Sequence, residues 1–246
     1  MDWILVIIFI SGSLPSAVGM SGCDITIGNI QMLHEHPKLR KCAETILQKH
    51  EYIGCRVSVQ TGECEGLNHD WGLNQTLEQG YAYAKKLYVE HTLQPPYKLV
   101  LDGFESWDIP VVLETGGRID ISFSLESLDQ TRFSLYLAEG AGSGKRQLQL
   151  SFVDTTLELV EYVDGIMQME TTLTSGIFVP MGIFKISLLA QANSVAVRVK
   201  DVAVGTMKLG LANHLRVMRR VRFVLQSKPN MAPKDVFIRK FEFTGK

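Results

Sequence analysis

The sequence predicts a mainly β protein, a two-sheet antiparallel β-sandwich with a small N-terminal helical region that carries disulfides. Two observations predict this class. Beyond residue 95, apolar residues recur at every second position in short segments, and turn-forming residues separate these segments. Before residue 93, helical spacing replaces this alternation, and all the cysteines of the chain lie there. The sequence does not alternate predicted strands with predicted helices, and this argues against a parallel nucleotide-binding fold.

The composition of the chain indicates which kinds of partner to expect. The chain has 246 residues, of which 46% are hydrophobic, and this is enough to bury a substantial core. The formal net charge is −1, so nothing in the charge balance predicts nucleic acid as a partner. We expect no nucleic-acid binding.

The first 19 residues are predicted to be a secretory signal peptide. Residues 3–10, WILVIIFI, form an unbroken apolar run, and the small residues Ala17 and Gly19 precede the expected cleavage point. The run is shorter than the roughly 20 residues that cross a bilayer, and no later run is longer. The opening MD lacks the usual basic residue, and a buried N-terminal strand is the alternative. We expect a secreted, extracellular protein without a membrane span.

The cysteines agree with secretion. Cys23, Cys42, Cys55 and Cys64 cluster after the expected cleavage point, as in a secreted domain with two disulfides whose pairing the sequence leaves open. A zinc site is the competing interpretation, but no C-x-x-C pair supports it. The sequence NQT at Asn74 is an N-glycosylation sequon.

Residues 20–93 are predicted to form the cysteine-containing region. Helical spacing predicts one helix over 37–50, which begins with a proline, and a second over 76–93. Residues 56–66 are predicted to form a short strand and a turn. The proline-containing segment 94–98 marks the boundary to the sandwich domain, 95–245.

The sandwich is predicted from eight alternating segments. These segments are 118–125, 132–138, 146–152, 156–163, 184–190, 194–202, 220–226 and 235–243.

The stretch EGAGSGK at residues 139–145 resembles a phosphate-binding P-loop. That motif needs a glycine where Glu139 stands and a hydroxyl side chain where Arg146 stands, and a helix must follow it. The segment that follows alternates like a strand. We therefore interpret the stretch as the tip of a β-hairpin.

The sequence contains no arrangement of residues that predicts an enzyme, and we expect no cofactor. His34 and His36 have metal-ligand spacing on a strand, but no third ligand is identifiable, so a solvated turn is the preferred interpretation. In the basic run 214–226, alternation predicts Arg216, Arg220 and Arg222 on an outward face. A row of arginines suits an acidic ligand, while a solvated strand face is the simpler interpretation.

The order of segments from Tyr97 onward resembles the galectin family. PPYKLVLDGF, LETGGRIDISFSL, RFSLYLAEG, FVPMGIFKISLLAQANSVAVRVKDV, NHLR and DVFIRKFEF are similar in order and spacing to that family's strands. The resemblance covers about the last 150 residues, Pro95 to Gly245. It implies a jelly-roll β-sandwich of the galectin and concanavalin type, without catalytic activity.

The resemblance also implies the position of a sugar site. The family carries H-x-N-x-R on one strand, an asparagine on the next and W-x-x-E-x-R on the third. In this sequence, Val153 stands in place of the first asparagine and Thr172 in place of the last arginine. Among the other corresponding positions, only the glutamate retains the family's residue. The ligand-binding positions that the resemblance implies are Ser151, Thr155, Tyr162, Met167 and Glu170.

Two functions are therefore expected. The first is a secreted galectin-like lectin with altered or weakened specificity, whose partner is a glycan or a glycoprotein. The second is a non-catalytic extracellular protein-interaction module on a degenerate galectin or laminin-G-like sandwich, whose partner is a protein.

Overall fold

The structure is a computed structural model of the chain. It describes residues 23–27, 30–32, 36–49, 51–68, 77–101, 103–125, 131–139, 146–153, 156–174, 182–210, 214–227 and 235–245. The predicted signal peptide, Asn74, His34 and Thr155 lie outside these residues.

The predicted sandwich is confirmed. Two antiparallel sheets of seven and six strands face each other across one core. The seven-stranded sheet has the order β1-β6-β17-β8-β13-β14-β15. Its strands are β1 (Cys23–Ile27), β6 (Tyr88–Lys98), β8 (Arg118–Leu125), β13 (Gly182–Ala190), β14 (Ser194–Val199), β15 (Val202–Lys208) and β17 (Val236–Thr244).

The six-stranded sheet carries the candidate site and has the order β12-β11-β10-β9-β16-β7. Its strands are β7 (Phe104–Asp108), β9 (Thr131–Ala138), β10 (Gln147–Val153), β11 (Thr156–Val163), β12 (Ile166–Thr174) and β16 (Arg220–Ser227). A short 3₁₀ helix, His214–Val217, precedes β16.

Aromatic side chains fill the space between the two sheets. Phe123 of the seven-stranded sheet and Phe133 of the six-stranded sheet have ring centroids 5.2 Å apart. Phe223 stacks on Phe133 at 5.8 Å and meets Trp107 edge to face at 5.4 Å. Offset and edge-on ring pairs of this kind stabilise a core beyond the burial of their area.

The strands on either side of the P-loop-like stretch pair with each other, as the predicted hairpin requires. Strands β9 and β10 pair antiparallel, and the Glu139 N–H donates to the Arg146 carbonyl at 3.1 Å. Residues 140–145 lie outside the described residues.

The predicted boundary at Gln94 falls inside β6, which runs through it without a break. Strand β1 lies upstream of this boundary and pairs with β6, from Cys23 opposite Leu93 to Ile27 opposite Val89. The seven-stranded sheet therefore uses residues from both sides of the predicted boundary.

Within its described residues, the N-terminal region contains one helix, not two. Helix α1 (Pro37–Ile46) begins as predicted, with His36 as its N-cap. The second predicted helix is wrong, because residues 81–86 and 88–98 are strands. A four-stranded sheet of order β2-β5-β3-β4 packs on α1 instead. Its strands are β2 (Ile30–Met32), β3 (Gly54–Ser58), β4 (Cys64–Leu67) and β5 (Tyr81–Lys86).

The burial of β5 explains why a helix was predicted in its place. Ala82, Tyr83 and Ala84 are consecutive and all buried, so both faces of the strand are covered. A strand buried on both faces loses the alternation by which a strand is recognised in sequence. Without that signal, chance helical spacing decided the prediction.

One disulfide joins α1 to the four-stranded sheet. Cys42 of α1 is bonded to Cys64 of β4, and these are two of the four predicted disulfide cysteines. The prediction is wrong for Cys55, which is a free, fully buried thiol on β3. Its side chain packs in the small core beside Leu39 and Ala43 of α1, so it behaves as an apolar core residue.

Candidate ligand-binding site

The six-stranded sheet has a buried inner face and an outer face turned away from the core. On β10, Leu148 and Leu150 are buried, and on β11 Leu157 and Leu159 are buried with them. Because side chains alternate along a strand, the intervening residues share the opposite face. The outer face, as the term is used below, consists on β10 to β12 of Gln147, Gln149, Ser151, Glu158, Val160, Tyr162, Met167, Glu170 and Thr172.

Strand pairing sets these residues side by side. Ser151 lies opposite Glu158, which lies opposite Thr172 on the next strand. One row along, Gln149 lies opposite Val160, and Val160 lies opposite Glu170. The third row places Gln147, Tyr162 and Met167 together.

A tight turn fixes how β12 meets β11. Asp164 and Gly165 connect the two strands, with φ of 51° and 77°. Positive φ at both central residues is typical of the two-residue hairpin turn, which Asp-Gly favours because glycine has no Cβ. A bulge between Glu161 and Tyr162 shifts the register, and Tyr162 comes to lie opposite Met167.

Four of the five sequence-predicted site residues therefore lie on one face of three adjacent strands: Ser151, Tyr162, Met167 and Glu170. Thr155 and the side chain of Val153 lie outside the described residues. The resemblance implied these positions together, and the alternation of side chains along each strand gives them a common face.

Ser151 is the least accessible of the four. Its side chain is 4% exposed, and its Oγ lies 3.0 Å from the Ser134 Oγ of β9. The Gln149 side-chain amide also donates to this hydroxyl, at 2.7 Å. The hydroxyl is therefore engaged within the sheet and holds Gln149 in place.

Glu158, Gln149 and Tyr136 complete the outer face, and the sequence prediction missed them. Gln149 lies two residues before Ser151, so alternation alone would have found it. Tyr136 lies opposite Gln149 on β9. It was not predictable from alternation within one strand, because its position beside Gln149 depends on the register between β9 and β10.

Two carboxylates on the outer face lack a charged partner. Within the described part of the chain, neither Glu158 nor Glu170 has an ion pair or a side-chain hydrogen bond. Glu170 is exposed and Glu158 half-buried. Free carboxylates accept hydrogen bonds from hydroxyl, amide or ammonium donors of a ligand.

The arginines are mostly occupied elsewhere. Arg220 Nε lies 3.2 Å from Asp108 Oδ1, and Arg216 lies 3.6 Å from Glu114. Arg216 lies in the 3₁₀ helix, so the predicted outward row does not include it. Arg222 is 6% exposed, and its burial, together with Arg220, lowers its pKa. The predicted solvated strand face therefore fits Arg220, which pairs with Asp108, but not the buried Arg222.

A buried acid and histidine lie behind Tyr162. Glu161 points toward the core, and its Oε1 lies 2.6 Å from Nδ1 of His214, both side chains being fully buried. The Gly210 N–H donates to the other oxygen at 2.6 Å. Burial lowers the pKa of His214 to about 4, with a further contribution from Arg146, so the imidazole is neutral at pH 7.

Among the described residues, no group of three or more histidine, cysteine, aspartate or glutamate side chains is placed to hold a metal ion. In that same part of the chain, no helix has the length and apolar composition that a bilayer requires.

The fold and the face define a β-sandwich with one open face bearing polar and acidic side chains. Solved structures that the chain resembles are galectins. Sheep galectin-11 in complex with glycerol is 18% identical, with 59% of this chain and 98% of that chain covered and a TM-score of 0.47. The Caenorhabditis elegans galectin LEC-6 is 11% identical, with coverages of 62% and 93% and a TM-score of 0.42.

A human galectin-16 variant is 13% identical, with coverages of 52% and 89% and a TM-score of 0.42. No protein-family model matches the chain, and no curated protein matches it. Likeness at this level does not decide function, which depends on the residues of the site.

Proposed function

We propose that the protein is a secreted, non-catalytic lectin that binds a glycan or a glycoprotein on the outer face of β10, β11 and β12. The observation that carries this proposal is the placement of Gln149, Glu158, Glu170 and Tyr162 on one face of three adjacent strands. Such a face combines hydrogen-bonding groups for sugar hydroxyls with an aromatic ring for an apolar sugar surface.

The specificity is proposed to differ from galactoside recognition of the galectin kind. Ser151 stands where the resemblance implies a histidine, and its hydroxyl is already bound to Gln149. Met167 stands where the resemblance implies a tryptophan. Each lost hydrogen bond of a site costs on the order of 1–3 kcal/mol, so the galactoside contacts are not retained. The ligand of this face instead meets two carboxylates that form no ion pair within the described part of the chain.

The localisation is part of the same proposal. The apolar N-terminal run, the cysteine cluster and the sequon at Asn74 support secretion. The disulfide between Cys42 and Cys64 is the bond that an oxidising compartment permits.

A glycan array tests the proposal. The secreted protein and three variants, Glu170→Ala, Tyr162→Ala and Glu63→Ala, are applied to the array after their folding is verified by circular dichroism. We expect binding that the first two variants lose and the third retains, because Glu63 lies on the loop before β4, in a different sheet. A folded wild-type protein that binds no glycan contradicts the lectin proposal.

The second candidate is an extracellular protein-interaction module on a degenerate galectin or laminin-G-like sandwich. It is favoured by three large apolar side chains that are exposed on β12. Ile166, Met167 and Met169 are 66%, 54% and 37% exposed. Adjacent exposed apolar residues are typical of protein-binding surfaces.

A further inference from the structure

The segment that forms β10 to β12 has an unusual charge distribution. Residues 147–184 contain five acidic residues and no lysine, arginine or histidine, although the whole chain has 25 lysines and arginines. Of these acids, Glu161 is buried, whereas Asp164 and Glu170 are exposed on the hairpin of β11 and β12. The hairpin therefore presents negative charge without compensation from its own segment.

Strand β12 also presents an open edge. It is the terminal strand of the six-stranded sheet in the described structure, with β11 on one side only. Its C-terminal half approaches β15, since a Cβ on Gly205 would lie 2.4 Å from Leu173. Its N-terminal half, residues 166–170, is exposed throughout.

Within the described residues, β12 itself carries none of the side chains that usually protect an edge strand. Natural sheets shield their edges with lysine, proline or a covering element, because unpaired N–H and C=O groups recruit other strands. Residues 166–174 contain neither lysine nor proline. Two of the exposed side chains, Met167 and Met169, are methionines, whose flexible thioethers adapt to different apolar partners.

We propose that residues 166–170 of β12 bind a lysine- or arginine-rich extended segment of a partner protein, which adds as a strand to the edge of the six-stranded sheet. The backbone of β12 supplies hydrogen bonds, Glu170 and Asp164 attract the basic side chains, and Ile166 and Met169 contact the apolar ones. This inference deepens the second candidate function and does not depend on glycan binding.

A short synthetic peptide that alternates lysine with valine is the probe. Its binding to the full secreted protein is measured by isothermal titration calorimetry at low salt and again at high salt. We expect binding that weakens as salt rises, because exposed charge pairs are screened beyond about 10 Å at 0.1 M. A peptide that alternates glutamate with valine should not bind.

Backbone methylation of the peptide tests whether it binds as a strand. The lysine peptide is methylated on alternate backbone nitrogens, in either of the two possible phases. Only one phase directs its N–H groups at the edge of β12, so we expect one methylated peptide to lose binding and the other to retain it. If both methylated peptides bind as tightly as the unmethylated peptide, strand addition is overturned.

Charge-reversal variants locate the contact. Glu170→Lys should weaken binding of the lysine peptide by up to about fivefold, the upper end of the range for one surface charge pair. Glu63→Lys makes the same change of net charge outside the six-stranded sheet and should leave binding unchanged. Absence of binding by the lysine peptide, or equal loss in both variants, overturns the proposal. A negative glycan array has no bearing on it.

Discussion

Nδ1 of His214 lies 2.6 Å from Oε1 of Glu161, and both side chains are fully buried beneath the outer face. The two atoms are close but are not aligned as a hydrogen bond, and neither has a hydrogen-bond partner among the described residues. The other ring nitrogen, Nε2, has no hydrogen-bond partner among the described residues. A proton added there would place a charge in the core without an acceptor, so burial keeps the pKa of His214 low, at about 4.

This low pKa predicts acid destabilisation. The unfolded chain binds a proton at the ordinary histidine pKa of 6.5, whereas the folded chain binds it only near 4. The free energy of unfolding should therefore fall as the pH drops from about 6.5 to about 4, by at most about 3 kcal/mol from this residue. Urea denaturation across this pH range measures it.

The control for this prediction is His214→Gln, which keeps a polar side chain that does not titrate. Its unfolding free energy should be lower than that of the wild type at pH 7 and should vary less with pH between 6.5 and 4. An unchanged pH dependence in this variant would show that other groups cause the acid destabilisation.

The cysteines should differ in their reactivity. Burial raises the pKa of the Cys55 thiol to about 12, and its side chain has no exposed surface. Iodoacetamide reacts with thiolates, so it should not label Cys55 in the folded protein and should label it in urea. Mass spectrometry counts the labels. Cys42 and Cys64 should react only after reduction, and rapid labelling of Cys55 in the native state would contradict the buried position.

The Cys42–Cys64 disulfide should stabilise the N-terminal region. It closes a segment with a sequence separation of 22 residues. Replacing both cysteines by alanine should lower the unfolding free energy by about 3 kcal/mol, because the unfolded chain gains conformational freedom. Thermal unfolding of this variant and of the wild type, with and without reductant, checks the value. Reductant should lower the stability of the wild type and leave the variant unchanged.

Gly205 should tolerate no side chain while Leu173 is present. A Cβ at Gly205 would lie 2.4 Å from Cδ2 of Leu173, which is far inside contact distance. Gly205→Ala should cost about 1–3 kcal/mol, the range for overpacking a core.

Leu173→Ala removes the clashing atoms, so the double variant should be more stable than the sum of the two single changes predicts. Strict additivity in this double-mutant cycle, measured by urea denaturation, would contradict the contact between β15 and β12.

Ser151 should contribute to the stability of the sheet more than to ligand binding. Ser151→Ala leaves Ser134 Oγ and the Gln149 amide without their shared partner, at a cost of about 1 kcal/mol. Ligand affinity on the glycan array should change less than in Glu170→Ala. A loss of binding as large as that of Glu170→Ala would place Ser151 in direct contact with the ligand.

Much of the fold and part of the site were predictable from local sequence. Residues 118–125 alternate along their whole length and residues 156–159 alternate at the start of their segment, and 118–125 and 156–163 are both strands with the predicted bounds. The resemblance placed Ser151 and Tyr162 in one site, and strand pairing sets both on the outer face. Helix α1 began at Pro37 as predicted, because proline suits the first helical turn.

Other features depended on contacts between residues far apart in sequence. Strand β5 resembled a helix because it is covered on both faces, and only its packing against α1 and between two strands made it a strand. The state of Cys55 followed from the direction of its side chain, which points into a core rather than toward another thiol.

The sequence by itself determined the alternating strands, the hairpin turn at Asp164 and Gly165, and the acidic composition of residues 147–184. These are local properties of neighbouring residues. Only the tertiary structure decided that Tyr136 lies beside Gln149, that Glu161 meets His214, and that β12 is an edge. Strand order and register bring distant residues together, and a one-residue slip would exchange the buried and outer faces.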